Sequence, residues 1–343
     1  MAAYDWLFNL FGAREWCDAG GGSGTVSMAD LLAKTNGGAA DVPWYEMPFP
    51  SLDNLNRACD NFPRATDLTD GVEAFFLNIK GALKVVLDPL TQPLSWLLDG
   101  SLAFFGNLPW WVLIPAILIG TYYASRAVGV TIFVAISFLF LAFIDLYSYA
   151  IDTLSIIFVC TLLSILLGVP IGIAMSKNDL YRRINIPILD MLQTLPSFVY
   201  LIPLIFLFSV TESKLYGIAI IMYAIVPVIR LTDLGIRLVD KDVIEAADAF
   251  GMTSRQKLFG VEIPLALPNI MAGVNQTIMM SLAMVVIASL VSAPGLGTLV
   301  LRGIRNLELG VGLVSGFCIV LLAVILDRVS KASLARIDTS QSR

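Results

Sequence analysis

The chain of 343 residues has no histidine, four cysteines and only 14% charged residues. Without histidine there is no imidazole to act as a general base and no Ser-His-Asp triad. With cysteines only at 17, 59, 160 and 318, no cluster of ligands exists for a structural zinc. No G-x4-G-K-[ST] run occurs either, so the chain lacks a phosphate loop of its own for ATP. We therefore assign it no catalytic residue, no cofactor-binding residue and no metal ligand. Charge is too scarce for an ordinary soluble domain, in which about a quarter of residues are charged. Its balance, a net −5, supplies no basic face for a nucleic acid.

Apolar sequence fills the space left by charge. The mean hydropathy is +0.80, and surface of that kind must face lipid. A hydrocarbon core of about 30 Å takes roughly 20 mostly apolar residues to cross as a helix. Seven stretches qualify, at roughly 109–124, 128–147, 150–175, 187–209, 214–231, 269–291 and 311–327. Pro115 in the first stretch, and Pro196 and Pro203 in the fourth, are tolerable where neighbouring helices satisfy the freed carbonyls. The fold class expected is an all-α polytopic membrane protein of about seven transmembrane helices with a long N-terminal extension. Cys160 and Cys318 fall inside spans and read as packing residues.

The first hundred residues differ in kind. Residues 1–72 hold Gly20-Gly21-Gly22-Ser23-Gly24, Gly37-Gly38, Pro43, Pro48 and Pro50 and no long apolar run, and read as a loosely structured acidic tail. Met1 to Leu10 lacks the basic start and full apolar core of a secretory signal. The tail and the segment up to the first span carry few positive charges (Arg14, Lys34, Arg57, Arg64, Lys80 and Lys84), which eases translocation. Cys17 and Cys59 can pair if the tail faces an oxidising compartment. Within 73–108, Phe75, Phe76, Ile79, Leu83, Val86, Leu87 and Leu90 lie opposite Lys80, Lys84 and Asp88. That pattern suits an interfacial amphipathic helix; an eighth span, the alternative, has to accommodate those charges with Pro89 and Pro93. Residues 109–331 form the membrane domain, with a polar loop at 232–268, and 332–343 a short tail.

The polar loop has a local logic. Asp240 and Asp242 can cap a helix whose apolar face is Val243, Ile244, Ala246, Ala247 and Phe250, and Gly251 suits the left-handed residue that ends it. Thr253 and Gln256 have the spacing of a capping box. The second helix it opens carries Arg255, Lys257, Leu258 and Phe259 and is expected to stop at Pro264 and Pro268. Helix, sharp turn and helix make a knob; an amphipathic loop lying on lipid headgroups is the other reading.

Glu245-Ala246-Ala247-x3-Gly251-x9-Val261-x-Ile263-Pro264 resembles the cytoplasmic EAA loop of ABC importer permeases, EAA-x3-G-x9-I-x-L-P, with Val261 and Ile263 as conservative departures. Three further runs resemble the glycine betaine/proline branch of those permeases. They are residues 192–203 (LQTLPSFVYLIP), 268–277 (PNIMAGVNQT), and Pro294-Gly295-Leu296-Gly297 followed by Val300-Leu301-Arg302-Gly303-Ile304. The resemblance covers about 100–331, the long extension is similar too, and Ala293-Pro294 departs from the glycine or other small residue usual there. It implies a type I ABC importer permease fold without an ATPase site of its own. The implied partners are a second permease copy in a homodimer, two ABC ATPase subunits holding ATP and Mg, and an extracytoplasmic binding protein that delivers a methylated or quaternary ammonium osmolyte. Glu245, Ala246, Ala247, Gly251, Val261 and Pro264 would be the ATPase-docking residues.

If that loop is cytoplasmic, an odd number of spans puts the N-terminus outside and the C-terminus inside a bacterial cytoplasmic membrane. The inner segments then hold Arg126, Lys177, Arg182, Arg183, Arg230, Arg237, Lys241, Arg255, Lys257, Arg328, Lys331, Arg336 and Arg343. The outer ones hold only Lys214, Arg302 and Arg305, as the positive-inside rule requires. Polar residues inside spans are expensive and face the bundle interior. Asp190, Gln193, Thr194 and Ser197 on the fourth span, and Asn275, Gln276 and Ser281 on the sixth, are therefore pathway candidates or interhelical hydrogen-bond partners. Phe198 and Tyr200 offer aromatic faces to a methylated cation or serve as packing. An ion-gradient-driven transporter or channel is the competing function; it calls for ionisable groups deep in spans and inverted repeats with broken helices. A membrane-anchored interaction protein would leave seven spans without a task.

Overall fold

Proline and short polar breaks decide where the helices begin and end. The computed structural model describes Gly12, Cys17 and residues 49–59 and 61–341, and among these residues every regular element is helical. The chain separates into a unit of residues 1–83 and a unit of 84–343.

In the first unit, α1 (Leu52–Ala58) opens at Ser51, whose Oγ accepts from the Asn54 amide at 3.3 Å. Cys59, at its end, is disulfide-bonded to Cys17 with the Cα atoms 4.8 Å apart, so the pairing that the sequence leaves open is made. The next helix, α2 (Ala65–Asn107), has its first amides taken by Asp53 (to Ala65 N, 2.9 Å) and Asp67 (to Arg64 N, 2.8 Å). The interfacial segment expected at 73–98 is thus part of a 43-residue helix that runs through Pro89 and Pro93. It stops before Pro109, where the chain turns by 111° into α3 (Trp110–Ser125).

The second unit continues with α4 (Val128–Phe143), α5 (Tyr147–Lys177), α6 (Asp179–Thr194), α7 (Leu201–Leu207) and α8 (Ser213–Arg237). Then come α9 (Lys241–Ala249), α10 (Ser254–Lys257), α11 (Ile263–Ala288), α12 (Leu296–Arg305) and α13 (Leu309–Gln341). Each of the seven apolar stretches lies on these helices, yet not each is a straight span. Among the described residues, four helical stretches are long and apolar enough to cross a membrane alone: Tyr147–Lys177, Ser213–Arg237, Ser254–Val291 and Leu309–Ser333. Counting the bent pairs α2 with α3 and α6 with α7 brings the number to six, and α4 is a shorter apolar helix. At 1.5 Å per residue its 16 residues reach about 24 Å. The stretch 187–209, expected as one span, is broken. Pro196 forces Leu195 into an extended conformation (ψ 134°), and the chain bends by 106° between α6 and the turn that leads into α7.

The centre of the unit is α5, α8 and α11. In hydrocarbon, helices associate through close backbone approach rather than through an apolar driving force. Gly168 and Gly172 supply it on α5: a Cβ on Gly172 would lie 2.6 Å from the Ile229 carbonyl oxygen and 2.6 Å from the Thr232 Cβ. A second apolar core joins α3, α4, α5, α12 and α13 through Leu113, Val134, Phe138, Leu141, Ile151, Leu296, Leu322 and the unpaired Cys318. The end of the bundle where α5 and α8 finish is the one where α11 starts, which places the loop between α8 and α11 against it.

Candidate functional site

That loop folds as its local signals dictate. Asp240 Oδ1 accepts from the Asp242 amide at 3.0 Å and starts α9. Gly251 has φ +73°. The Gly251 and Met252 amides bond to the Asp248 and Ala247 carbonyls at 2.9 and 3.2 Å, the pair of bonds that closes a helix with a left-handed residue. Both halves of the capping box at Thr253 and Gln256 are made. Lys257 Nζ then reaches back to Asp248 Oδ1 at 2.7 Å, pinning α10 to α9.

One expectation fails. Pro264 and Pro268 do not stop the second helix: α10 passes through a π-turn (Leu258–Glu262) straight into α11. Pro264 therefore lies inside a continuous helix, where it has no amide to give, and the wider turn before it, with Ile263 N bonded to the Leu258 carbonyl, takes up the disturbance.

On the knob, Ala247 is buried, Ile244 and Val261 are half-buried, and Glu245, Ala246 and Gly251 are exposed. Phe250 (86% exposed), Phe259 (67%) and Met252 stand in the open. They line a shallow recess of about 590 Å³ with Gly251, Gln256 and Gly260.

Under the knob lies a layer of ion pairs that sequence spacing did not disclose. Glu262, 3% exposed, is held by Lys177 at the end of α5. Asp233, also buried, accepts from Arg182 Nε on α6 at 2.9 Å and from Arg237 Nε on its own helix at 3.0 Å. Arg237 additionally donates to Asp179 Oδ1 at 2.7 Å and to the Met175 carbonyl at 2.9 Å.

The pathway candidates divide. Asp190 is exposed and ion-paired with Arg230. Thr194, Phe198 and Gln276 are exposed, and Gln193 and Ser197 half-buried. Because the chain breaks at Pro196, Asp190, Gln193 and Thr194 do not share a helix face with Ser197. Tyr200 is buried, and its hydroxyl has no hydrogen-bond partner among the described residues. Asn275 is bonded to Asp327 (3.5 Å) and Ser330 on α13, and Ser281 accepts from Thr161 on α5 at 3.2 Å.

At the opposite end, Lys214 is not the free loop cation the charge pattern suggested. It is buried in the first turn of α8, 2.7 Å from Asp88 and 2.8 Å from Glu212, over the Phe208 ring at 5.1 Å. Nearby, Ser213 donates to Asp99. The Pro294-Gly295-Leu296-Gly297 run is a turn that only glycine can make at Gly295 (φ +113°), and the Leu296 amide is anchored on Thr153 Oγ1 at 2.9 Å. Ala293 before it is fully buried, so a small side chain is what fits.

Residues 164–339 match the family described as binding-protein-dependent transport system inner membrane component. The chain is 39% identical over 278 residues to the glycine betaine transport system permease protein OpuAB of Bacillus subtilis, covering 79% of this chain and 95% of that one. It is 38% identical over 307 residues to the glycine betaine/proline betaine transport system permease protein ProW of Escherichia coli, covering 88% and 84%. The trimethylamine N-oxide transport system permease protein TmoV of Ruegeria pomeroyi is 34% identical over 269 residues, 78% of this chain and 40% of that one. Among solved structures, a chain of the inward-facing MetNI methionine ABC transporter matches with a TM-score of 0.50 at 20% identity, over 56% of this chain and 95% of that one, a likeness of fold alone.

Proposed function

The chain belongs to the binding-protein-dependent transport system inner membrane components, and we propose that it is the permease of an ATP-binding-cassette importer for a methylated amine or quaternary ammonium osmolyte. Glycine betaine, proline betaine, choline and trimethylamine N-oxide are the candidate cargoes. The observation that carries this reading is alignment over 79–88% of the chain, at 38–39% identity, with two permeases named for betaines.

Two copies form the pore, with the N-terminus outside and the C-terminus in the cytoplasm. Two ATPase subunits supply ATP and Mg, and an extracytoplasmic binding protein supplies cargo. Each ATPase takes the exposed face of the knob at 240–264, from which the buried Glu262 is turned away. Phe250, Met252 and Phe259 held out in water are the kind of apolar surface that a partner covers, and the bond between Lys257 and Asp248 keeps the knob rigid enough to be pushed. A cargo with diffuse positive charge needs only polar walls and weak aromatic contacts, since tight binding in the passage would slow release. Gln193, Thr194, Ser197, Phe198 and Gln276 suit that role, and discrimination between cargoes falls to the binding protein.

The test is uptake of labelled glycine betaine into vesicles holding the chain with its ATPase, with the binding protein outside and ATP inside. Uptake that needs both ATP and the binding protein is expected. Uptake driven by an ion gradient without ATP would overturn the reading in favour of a secondary transporter. Calorimetry of the binding protein against the four cargoes, proline and an amino-acid panel then sets the substrate: exclusive binding of a sugar, a metal or an anion would remove the osmolyte class.

A further inference from the structure

A knob that is pushed must hand its motion to the helices that open. Apolar contacts of Ile244 and Ile263 with Ile236, Val239, Ala266 and Ile270 seat the knob on α8 and α11, and Val169 and Ile173 of α5 pack on the same cluster. Such contacts are non-directional and do not specify which neighbouring helix follows. The ion pair between Glu262 and Lys177 is directional. Glu262 closes the π-turn, its side chain is 3% exposed, and the partner it is given is Lys177, 85 residues away on another helix. A buried carboxylate separated from its cation is strongly penalised, so the two residues move together.

Each of them sits at a joint. On one side, a π-turn is a rare, single-turn element found frequently at functional sites, and Pro264 just beyond it removes a helical bond. The chain from Leu258 to Pro264 is therefore softer than the knob before it or α11 after it. On the other side, Lys177 ends α5. Asn178 comes next, its side chain capping α6 through the Leu180 and Tyr181 amides at 3.0 and 3.1 Å. Asp179 and Arg182, in the first turn of α6, are bonded to Arg237 and Asp233 at the end of α8, and Arg237 also holds the Met175 carbonyl of α5. The ends of α5, α6 and α8 thus form one ion-bonded block, and Lys177 is its handle toward the knob. The far end of α6 is the break at Pro196, beside Gln193, Thr194 and Ser197.

We propose that the Glu262–Lys177 pair is the transmission element of this permease: it makes the α5–α6–α8 block follow the knob, so that ATP hydrolysis moves the broken span. The inference rests on the permease reading of the chain. Glu262 and Lys177 are positioning residues, and neither touches cargo or ATP. Losing the pair leaves the capping residues, Gly251 and the Lys257–Asp248 bond intact, so the ATPase still docks and still turns over. What falls is transport per ATP.

The experiment uses the complete importer in vesicles and reads three quantities for E262Q, K177Q and the exchanged pair K177E/E262K: ATPase subunits retained on the permease, ATP hydrolysis, and betaine taken up per ATP. For the single variants we expect retention and hydrolysis near wild type and uptake per ATP reduced by about tenfold, within the usual range of coupling between two sites. The exchanged pair is expected to recover most of the loss. Unchanged uptake per ATP in both single variants would overturn the proposal. So would loss of hydrolysis through failure to retain the ATPase, because the pair would then merely hold the knob. If the single variants do not insert, the exchanged pair decides: coupled uptake supports the proposal, and hydrolysis that stays uncoupled refutes it. A wild-type complex that takes up no betaine with ATP would instead sink the functional reading, a result distinct from wild-type uptake with unaffected variants.

Discussion

The two ends of α8 solve the same problem with opposite signs. At its start a buried cation, Lys214, is flanked by two carboxylates, Asp88 and Glu212; at its end a buried carboxylate, Asp233, is flanked by two guanidiniums, Arg182 and Arg237. In both, the central charge is nearly hidden (side chain 5% and 7% exposed) while the flanking charges reach water at 30–40% exposure. The difference lies in what each cluster ties down. The Lys214 cluster joins α8 to the long helix α2 and to the loop before α8. The Asp233 cluster joins α8 to α6 and, through Met175, to α5, next to the handle on the knob. One end anchors an arm; the other assembles the block that has to move.

Removing the flanking charges should have the largest effect on stability. R182M/R237M leaves Asp233 without a donor, and its short side chain cannot reach solvent. Stranding a buried charge costs about 3–5 kcal/mol, and the thermal midpoint of the solubilised protein should fall by roughly 10 °C. D88N/E212Q takes both negative charges from Lys214 but leaves it two amide oxygens to donate to. That residue keeps the Phe208 face and a long stem along which to shift its charge toward water, so a smaller drop is expected. Equal or reversed drops would show that the long stem and the Phe208 face give Lys214 no relief that Asp233 lacks.

Glycines beside each cluster sharpen the contrast at lower cost. In G172A the new methyl meets a backbone carbonyl that cannot yield, near the Asp233 end, and should destabilise by about 1–3 kcal/mol. In G217A it meets the Leu98 Cδ1 at 2.5 Å and Leu94 at 3.1 Å, both the far ends of flexible side chains, and the loss should stay under about 1 kcal/mol. Thermal midpoints of the two variants check the ordering.

The smallest effect belongs to an exposed pair outside both clusters. A hydrogen bond from Asn306, helped by Arg302, holds the Glu308 carboxyl below the ordinary glutamate range. A carboxylate whose pKa is lowered on folding stabilises the fold above its unfolded pKa and loses that contribution as pH falls through the folded value. Near neutral pH that contribution is present but small, because solvent screens the pair, so E308Q should leave the midpoint unchanged within error. A clear drop would mean that the hairpin of α12 and α13 depends on it.

Legibility in the sequence follows range. The Asp240 cap, left-handed Gly251 and the Thr253–Gln256 box lie within one short loop, and each is decided by neighbours a few residues away, so residue types alone disclose them. The apolar stretches are legible for the same reason. The break at Pro196 and the passage of α10 into α11 through Pro264 are not, because a proline signals a disturbance and leaves its form to the surrounding packing. The ion pairs were invisible: Lys177 and Glu262 are 85 residues apart and Arg182 and Asp233 are 51 apart, and nothing local marks either as paired. Likewise Asn275 reads as a polar residue in a span until Asp327 and Ser330 are brought beside it.

If a separate ATPase works this pore through the knob, Gly251 is where that coupling is most easily lost. A β-branched residue forced into the left-handed region at φ +73° costs about 1–2 kcal/mol and tilts α10 away from α9. The measurement is ATPase activity stimulated by the cargo-loaded binding protein in membranes carrying wild-type or G251V permease, with insertion checked on the same sample. Normal insertion is expected, with stimulation and uptake both falling by about tenfold; full stimulation and full uptake in G251V would mean that the ATPase does not work through the knob.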